Sequence, residues 1–329
     1  MAWSCWQHDP RGHSPSEATL ASLEPMEPVL HQRPGACRAL QAMTGDALTS
    51  RAWLDALAAI GQRHRVELDG RAMIWRRWGS GPPAVLLHGG HGCWMHWARN
   101  VIALGARHTV WVPDLPGFGE SDLPAQPSLE AVAQMTRQTL GALLPESTPI
   151  TLVGFSFGGL VAAQVAALRR AVPRLALLGP AGHGGPRRPK GDLLPWRPAL
   201  KTQDHEALRA VMRHNLLMHM VHQASQVDDL ALTIHTDACI HTRLRSKPLS
   251  RAAGLSDLLA SYSGRLLLVW GEHDVTADPL TVMERLNTRR SACTALTLKG
   301  VGHWVQFEAA ERCNGLLNDW LQAPTLQEK

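Results

Sequence analysis

The chain has 329 residues, 45% of them hydrophobic, enough for one large α/β domain with an insertion or for two small domains. Its six cysteines (Cys5, Cys37, Cys93, Cys239, Cys293, Cys313) show no C-x-x-C pair or close spacing, which argues against a disulfide framework or zinc ribbon and suits a reducing, cytoplasmic compartment. The formal charge of +5 comes without a lysine-rich block or stacked-aromatic pattern, so nucleic acid is not an expected partner; no apolar run reaches the ~18 residues that cross a bilayer, so neither is a membrane.

In chain order, residues 1–43 are rich in Pro, Ser, His and Gly without a sustained period and read as a poorly ordered leader. The opening MAWSCWQHDPRGHSPSEA has neither the apolar stretch nor the small-residue cleavage site of a secretory signal. A helical pattern, SRAWLDALAAIGQ, comes next, then two alternating runs joined by Asp69-Gly70. That dipeptide predicts a two-residue hairpin turn, because both central positions need positive φ. Beyond it, AVLLHGG, HTVWVPDL, PITLVGF, RLALLGP, RLLLVWGEHD and ALTLKGVGH read as short strands separated by helical patterns. Runs this apolar are buried on both faces, so the sheet is mostly parallel and the fold class is α/β. The rhythm breaks at GHGGPRRPKGDLLPW, where helical patterns such as HEALRAVMRHNLLMHMVHQA take over until strand signals resume at Arg265. The expected organisation is an α/β core over 44–182 and 261–323, a helical cap over 183–260 and a short tail over 324–329. Residues 187–251 carry eleven Lys/Arg against six Asp/Glu, as much net charge as the whole chain. A basic segment can attract an anionic ligand; the plain alternative is a solvated helical face.

The stretch TLVGFSFGGLVAA, Thr151 to Ala163, runs from a strand pattern straight into Gly-Phe-Ser-Phe-Gly-Gly and a small-residue helix. A nucleophile elbow needs this context: a tight turn strains the serine backbone and pushes the Ser156 hydroxyl out at the carboxyl end of the sheet. Gly154, Gly158 and Gly159 stand where side chains would clash with the neighbouring strand and helix. The turn also aims the helix N-terminus and the Phe157 amide at any oxyanion formed there. A serine nucleophile needs a base and an orienting acid, here expected in the order Ser, Asp, His. RLLLVWGEHDVTADP puts Asp274 at a strand's carboxyl end, and ALTLKGVGHWVQFE ends a strand in a glycine loop that carries His303. Asp278 is the rival acid, farther from the strand end and so less rigidly placed. The second oxyanion amide is expected from LLHGGHGCW, where backbone can approach a substrate because side chains are absent. Gly90 is the first choice, with Gly89 and His91 as alternatives, and His88 braces the loop. VPDLPGFGESDLP reads as a turn-rich pocket wall.

Two histidine clusters, His88/His91/His96 and His214/His219/His222, do not make a metal site. The first lies in the glycine loop, and in the second His219 and His222 alone share a helical face, with no Asp, Glu or Cys to complete a shell within that stretch. No metal and no cofactor are expected.

His88-Gly89-Gly90, Asp114-Leu115-Pro116-Gly117-Phe118-Gly119, Gly154-Phe155-Ser156-Phe157-Gly158-Gly159, Asp274 and Gly302-His303-Trp304 together resemble the α/β-hydrolase superfamily, over about residues 64–322. The resemblance implies an eight-stranded, mostly parallel sheet with a helical cap, and cofactor-free hydrolysis through an acyl-enzyme. Serine rather than aspartate at 156 argues against the haloalkane dehalogenase and epoxide hydrolase branches. A carboxylesterase or thioesterase is the first expectation. The second is a hydrolase of the carbon–carbon bond in 2-hydroxy-6-oxo-dienoate-type ring-cleavage products, which GVGHWVQFEAAERCNGLLNDWL resembles. Those enzymes hold the substrate's carboxylate on a basic group beneath the cap. Here Phe155 stands where that branch usually has Asn, and LALTIHTDACIHTRLRS offers His235 before Arg243. Cofactor-free perhydrolase activity shares the aromatic elbow, and a non-enzymatic ligand receptor on a hydrolase shell is the competing class. Gly89, His91, Phe155, Trp304 and Arg243 are the candidate pocket residues. The expected partner is a small-molecule substrate, anionic if the basic segment faces it.

Overall fold

The computed structural model describes residues 49–287 and 293–323; the leader over 1–43 and the tail over 324–329 lie outside the described residues. Helix α1 (Ser50–Ile60) is capped by Thr49, whose hydroxyl accepts from the Ala52 N–H at 3.2 Å. Strands β1 (Gln62–Leu68) and β2 (Arg71–Trp78) form an antiparallel hairpin with Leu68 opposite Arg71. Asp69 (φ 51°) and Gly70 (φ 71°) make its turn, as the Asp-Gly pair predicts.

The chain then alternates: β3 (Pro83–Leu87), α2 (Val101–Gly105), β4 (Thr109–Pro113), α3 (Leu129–Leu143), β5 (Thr151–Phe155), α4 (Phe157–Leu168) and β6 (Arg174–Leu178). An insertion of helices α5 (Arg197–Lys201), α6 (His205–His219), α7 (Asp229–Ile240), α8 (Ser246–Arg251) and α9 (Leu255–Ala260) precedes β7 (Arg265–Gly271). The closing elements are α10 (Pro279–Asn287), β8 (Cys293–Leu298), α11 (Val305–Glu308) and α12 (Ala310–Gln322). The eight strands pair in the order β1-β2-β4-β3-β5-β6-β7-β8. The β1–β2 and β2–β4 pairs are antiparallel, and every pair from β4 across to β8 is parallel. The strand rhythm predicts the α/β class, and this eight-stranded, mostly parallel sheet is the one that the resemblance to the α/β-hydrolases implies.

Side chains alternate between the two faces of a strand, and here both faces are apolar. Leu86, Val153, Phe155 and Val269 belong to one buried cluster, while Val85, Leu87, Leu152 and Leu268 belong to the other. The first cluster continues into the insertion through Leu208, Met212 and Leu216 of α6 and Ile234 of α7; Leu244, Leu255 and Leu259 join the second. The insertion is therefore fastened by buried apolar side chains at two places. The parallel strands end along one edge, so the loops after β3, β5, β7 and β8 meet there.

Candidate active site

Ser156 sits between β5 and α4 with φ 53° and ψ −117°, a backbone state that costs a non-glycine residue about 1–3 kcal/mol. The surrounding glycines make this turn possible. A side chain at Gly158 would lie 2.3 Å from the His88 carbonyl oxygen, and one at Gly154 would lie 2.4 Å from that of Gly158. Strand β5 and helix α4 can therefore close on the loop after β3, which lifts the serine hydroxyl out of the sheet edge. Helix α4 has no acidic residue in its first turn, so its positive end faces the loop edge uncompensated by a side chain.

Asp274 and His303 arrive from the loops after β7 and β8. The His303 Nε2 lies 2.9 Å from Ser156 Oγ, and its Nδ1 lies 2.8 Å from Asp274 Oδ2. Asp274 is fully buried and His303 is 2% exposed. Burial alone would raise the Asp274 pKa, but the charge and hydrogen bond of His303 and the bonds from Thr276 outweigh it, and the net direction is down. An ionised Asp274 accepts the Nδ1–H of His303, which leaves Nε2 as the acceptor for the serine proton. Asp278 instead accepts from the Thr281 N–H at 3.1 Å and pairs with Arg188 at 3.6 Å, so it serves the start of α10.

The loop after β3 is fixed by its neighbours. His88 accepts from the Leu115 N–H on Nε2 at 2.9 Å, and its Nδ1 donates to the Gly89 carbonyl at 2.8 Å. Desolvation pushes its pKa down to about 4, so the ring is an uncharged brace. Asp114, 1% exposed, accepts from the Trp94 N–H at 2.8 Å and from Arg76 at 3.2 Å; the segment VPDLPGFGESDLP is thus a turn folded around a buried ion pair. Gly89 stands beside the elbow, where an added side chain would lie 3.2 Å from Ser156 Cβ. Gly90 follows it, and His91 has φ 51° and an exposed side chain whose charge reaches His235.

The other predicted pocket residues separate. Phe155 is buried with its ring 4.9 Å from that of His303. Trp304, fully buried, donates from Nε1 to the His96 carbonyl at 3.2 Å. Both pack behind the relay. Arg243 is exposed, and its guanidinium donates to the carbonyls of Gly119 and Ser121. The described contacts join it to the turn around Asp114 and not to the relay.

Four residues in or beside this site were not singled out by the sequence as part of it, and a fifth, His235, was met only where a basic group beneath the cap was sought. Thr276 donates from Oγ1 to Asp274 Oδ1 at 2.8 Å and adds its N–H to the same oxygen at 2.7 Å. A side chain at Gly179 (φ 50°) would lie 3.0 Å from both Asp274 Oδ2 and His303 Nδ1. Glu308 accepts from the Gly302 N–H at 2.6 Å and from the N–H groups of His222 and Gln223 at 2.9 and 2.8 Å, so one carboxylate ties the His303 loop to the insertion. His219, on α6, puts its ring 5.8 Å from that of His303. It keeps accessible surface, yet desolvation and then the neighbouring His303 push its pKa down to about 3; a side chain both accessible and ringed by protein lines a recess. His235 on α7 is held at about 4 by burial, then by His91. The short spacings His219-Met-Val-His222 and His235-x-x-x-Cys239 were visible in the sequence, but nothing in them points to a serine about sixty to eighty residues away.

Among the described residues no group of three or more His, Cys, Asp or Glu is arranged to hold a metal ion, and no helix is long and apolar enough to cross a membrane. A separate groove of about 1320 Å³ lies between α1 and α12, but its Arg99 is already bound by Asp228 and the Phe307 carbonyl.

The fold and this site define the class of protein: the chain matches the family model of the alpha/beta hydrolases over residues 84–316 and belongs to that family. It is 30% identical over 266 residues to the 2-hydroxy-6-oxononadienedioate/2-hydroxy-6-oxononatrienedioate hydrolase of Paraburkholderia phymatum, a match covering 72% of this chain and 86% of that protein. Over 90 residues it is 42% identical to the pimeloyl-[acyl-carrier protein] methyl ester esterase of Aeromonas hydrophila subsp. hydrophila, which covers 27% of this chain and spans only 34% of that relative. Among solved structures, an esterase from Rhodococcus sp. ECU1013 superimposes with a TM-score of 0.66 at 20% identity, covering 80% of this chain and 99% of that one, a likeness of fold.

Proposed function

We propose that the protein is a cofactor-independent serine hydrolase that cleaves a small carboxylic ester or thioester. The carrying observation is the continuous hydrogen-bonded line from Asp274 through His303 to Ser156, with bonds of 2.8 and 2.9 Å. In this reading His303 Nε2 takes the Ser156 proton as Oγ forms a bond to the acyl carbon, and the carbonyl π pair moves onto oxygen. The Phe157 and Gly90 amides hold that oxyanion. Collapse expels the alkoxide or thiolate, which takes the proton from His303, and leaves an acyl-enzyme. Water, deprotonated by the same imidazole, then adds to the acyl carbon, and the second collapse frees the acid and returns the proton to Ser156.

The choice of an ester is supported by the uncharged imidazoles that the insertion carries. His219 and His235, held near 3 and 4, are neutral at pH 7, and Arg243 is engaged with backbone carbonyls away from the relay. The guanidinium whose charge reaches Asp274 and His219 is that of Arg187, exposed and donating to the Ser250 carbonyl, and it is the group that a dienoate's carboxylate would need. The second reading, hydrolysis of a carbon–carbon bond, is favoured by the long match to the Paraburkholderia phymatum hydrolase. Steady-state turnover of short p-nitrophenyl esters and of a 2-hydroxy-6-oxo-dienoate, compared on one preparation, separates them: esters are expected to be the faster substrates. Dienoate turnover faster by several orders of magnitude would overturn the ester reading. A fluorophosphonate probe is expected to label the wild type and not Ser156→Ala; a wild type that refuses the probe points to a ligand receptor.

A further inference from the structure

We propose that Ser246, carried by the insertion, supplies a third hydrogen-bond donor to the oxyanion pocket, beside the Gly90 and Phe157 amides; this rests on the serine-hydrolase reading above. The segment around it is exposed and cationic, with Arg243, Arg245, Lys247 and Arg251 all facing outward, yet Ser246 is 2% exposed. Its hydroxyl is what a side chain at Gly90 would strike. A methyl group there would lie 2.6 Å from Ser246 Oγ, and the same point is 3.8 Å from Phe157 Cβ. The hydroxyl therefore stands in the corner shared by the two residues whose amides receive the oxyanion.

Ser246 is held in that corner by the chain around it. Its position is set by backbone bonds. The Ser246 N–H donates to the Leu244 carbonyl at 3.0 Å, and the N–H groups of Arg243 and Leu244 both donate to the Gly117 carbonyl, at 2.9 and 3.0 Å. Arg243 adds its guanidinium to the same turn through Gly119 and Ser121. That turn holds His88 through the Leu115 N–H. The insertion is thus braced against the loop that carries Gly90.

When the bond from Ser156 Oγ to the acyl carbon forms, the π pair moves to the carbonyl oxygen and the serine proton passes to His303. Ser246 keeps its own O–H bond and donates only a hydrogen bond to the new oxyanion. Charge on that oxygen is greater in the transition state than in the substrate, so the donor acts on kcat more than on KM.

The test uses the full chain, p-nitrophenyl butyrate as substrate and a trifluoromethyl ketone whose tetrahedral adduct places an oxyanion in the same corner. Ser246→Ala is expected to lower kcat about 10- to 100-fold, to leave KM within about twofold, and to weaken the ketone by the same factor as kcat. Ser246→Thr, which keeps the hydroxyl, is expected to restore most of kcat. An unchanged kcat in Ser246→Ala, or a rise in KM alone, overturns the proposal. Should the alanine variant unfold, Ser246→Thr and Ser246→Cys carry the comparison. A kcat that follows donor strength supports the third donor, and equal kcat values overturn it. Fluorophosphonate labelling of the wild type is measured first: no labelling sinks the serine-hydrolase reading itself, whereas labelling with an indifferent Ser246→Ala sinks the third donor alone.

Discussion

The elbow edge of the sheet and the insertion facing it are held by different physics. At the edge, backbone does the positioning: Gly154 and Gly158 let β5, α4 and the loop after β3 touch, and the strain at Ser156 is imposed by those contacts. The insertion is held by side chains, through buried Leu208, Met212, Leu216 and Ile234, the Glu308 carboxylate and the Arg243 bonds to a neighbouring turn. A site built this way keeps its reacting atoms fixed on rigid elements, while the wall over them can vary in polarity without disturbing the relay. The difference teaches where substitutions should act: on chemistry at the edge, and on seating and selectivity in the insertion except where Ser246 meets the oxyanion corner.

The contrast is broken most severely by Ser156→Ala, expected to lower kcat by about 10⁶, measured with p-nitrophenyl esters at unchanged thermal midpoint. Asp274→Asn keeps the shape but leaves His303 in the wrong tautomer, and a loss of about 10⁴ in kcat is expected; a near-normal rate would show that Asp274 does not orient the base. Glu308→Ala leaves three N–H groups without their acceptor at the junction of the two regions. It is expected to cost about 3 kcal/mol in urea denaturation and to lower kcat as well, since it frees the His303 loop.

Acid sharpens the comparison from another side. His88 at the edge and His235 in the insertion are both buried and both held at about 4, whereas in the unfolded chain each protonates near 6.5. Unfolding therefore takes up protons in that window, and stability falls as the pH drops from about 6.5 toward 4, by about 3 kcal/mol for each ring. The Asp274 contribution is lost only lower, as the pH falls through its lowered pKa. Urea midpoints between pH 7.5 and 4.5 measure this; a flat profile contradicts it. The smallest effect is expected from Arg243→Ala, which loosens the tie between α8 and the Asp114 turn: a fall of about two- to fivefold in kcat at constant thermal midpoint, in keeping with an exposed, partly solvated contact.

Much of the edge was legible because its signals are local. Asp69-Gly70 dictates its turn, and Gly154-Phe155-Ser156-Phe157-Gly158-Gly159 between an apolar run and a small-residue helix dictates the elbow. Asp274 and His303 follow from ending strands in polar or glycine loops. Thr276, Gly179 and Glu308 were not legible, since each acts on a partner that the fold brings in from elsewhere: Gly179 reaches Asp274 and His303 only where β6 and β7 run side by side, and Glu308 is one of several carboxylates until His222 and Gly302 lie against it. Arg243 was read as a pocket cation from the basic segment and from the resemblance to enzymes with a cap arginine; its guanidinium donates to the Gly119 and Ser121 carbonyls and its side chain is exposed.

The sequence by itself determined the class of fold, the strained serine and the places of Ser156, Asp274 and His303 at strand ends, because period, glycine placement and strand ends are properties of a few adjacent residues. The tertiary structure alone decided which face of the insertion looks at the serine and with what charge. Helical periodicity in the insertion identifies helices but not their rotation over the sheet, and that rotation brings neutral Ser246 and His219 inward while Arg243 stays out. Burial disfavours an unpaired guanidinium far more than a hydroxyl or a neutral imidazole, which is the physical reason Ser246 can be enclosed while Arg243 stays at the surface.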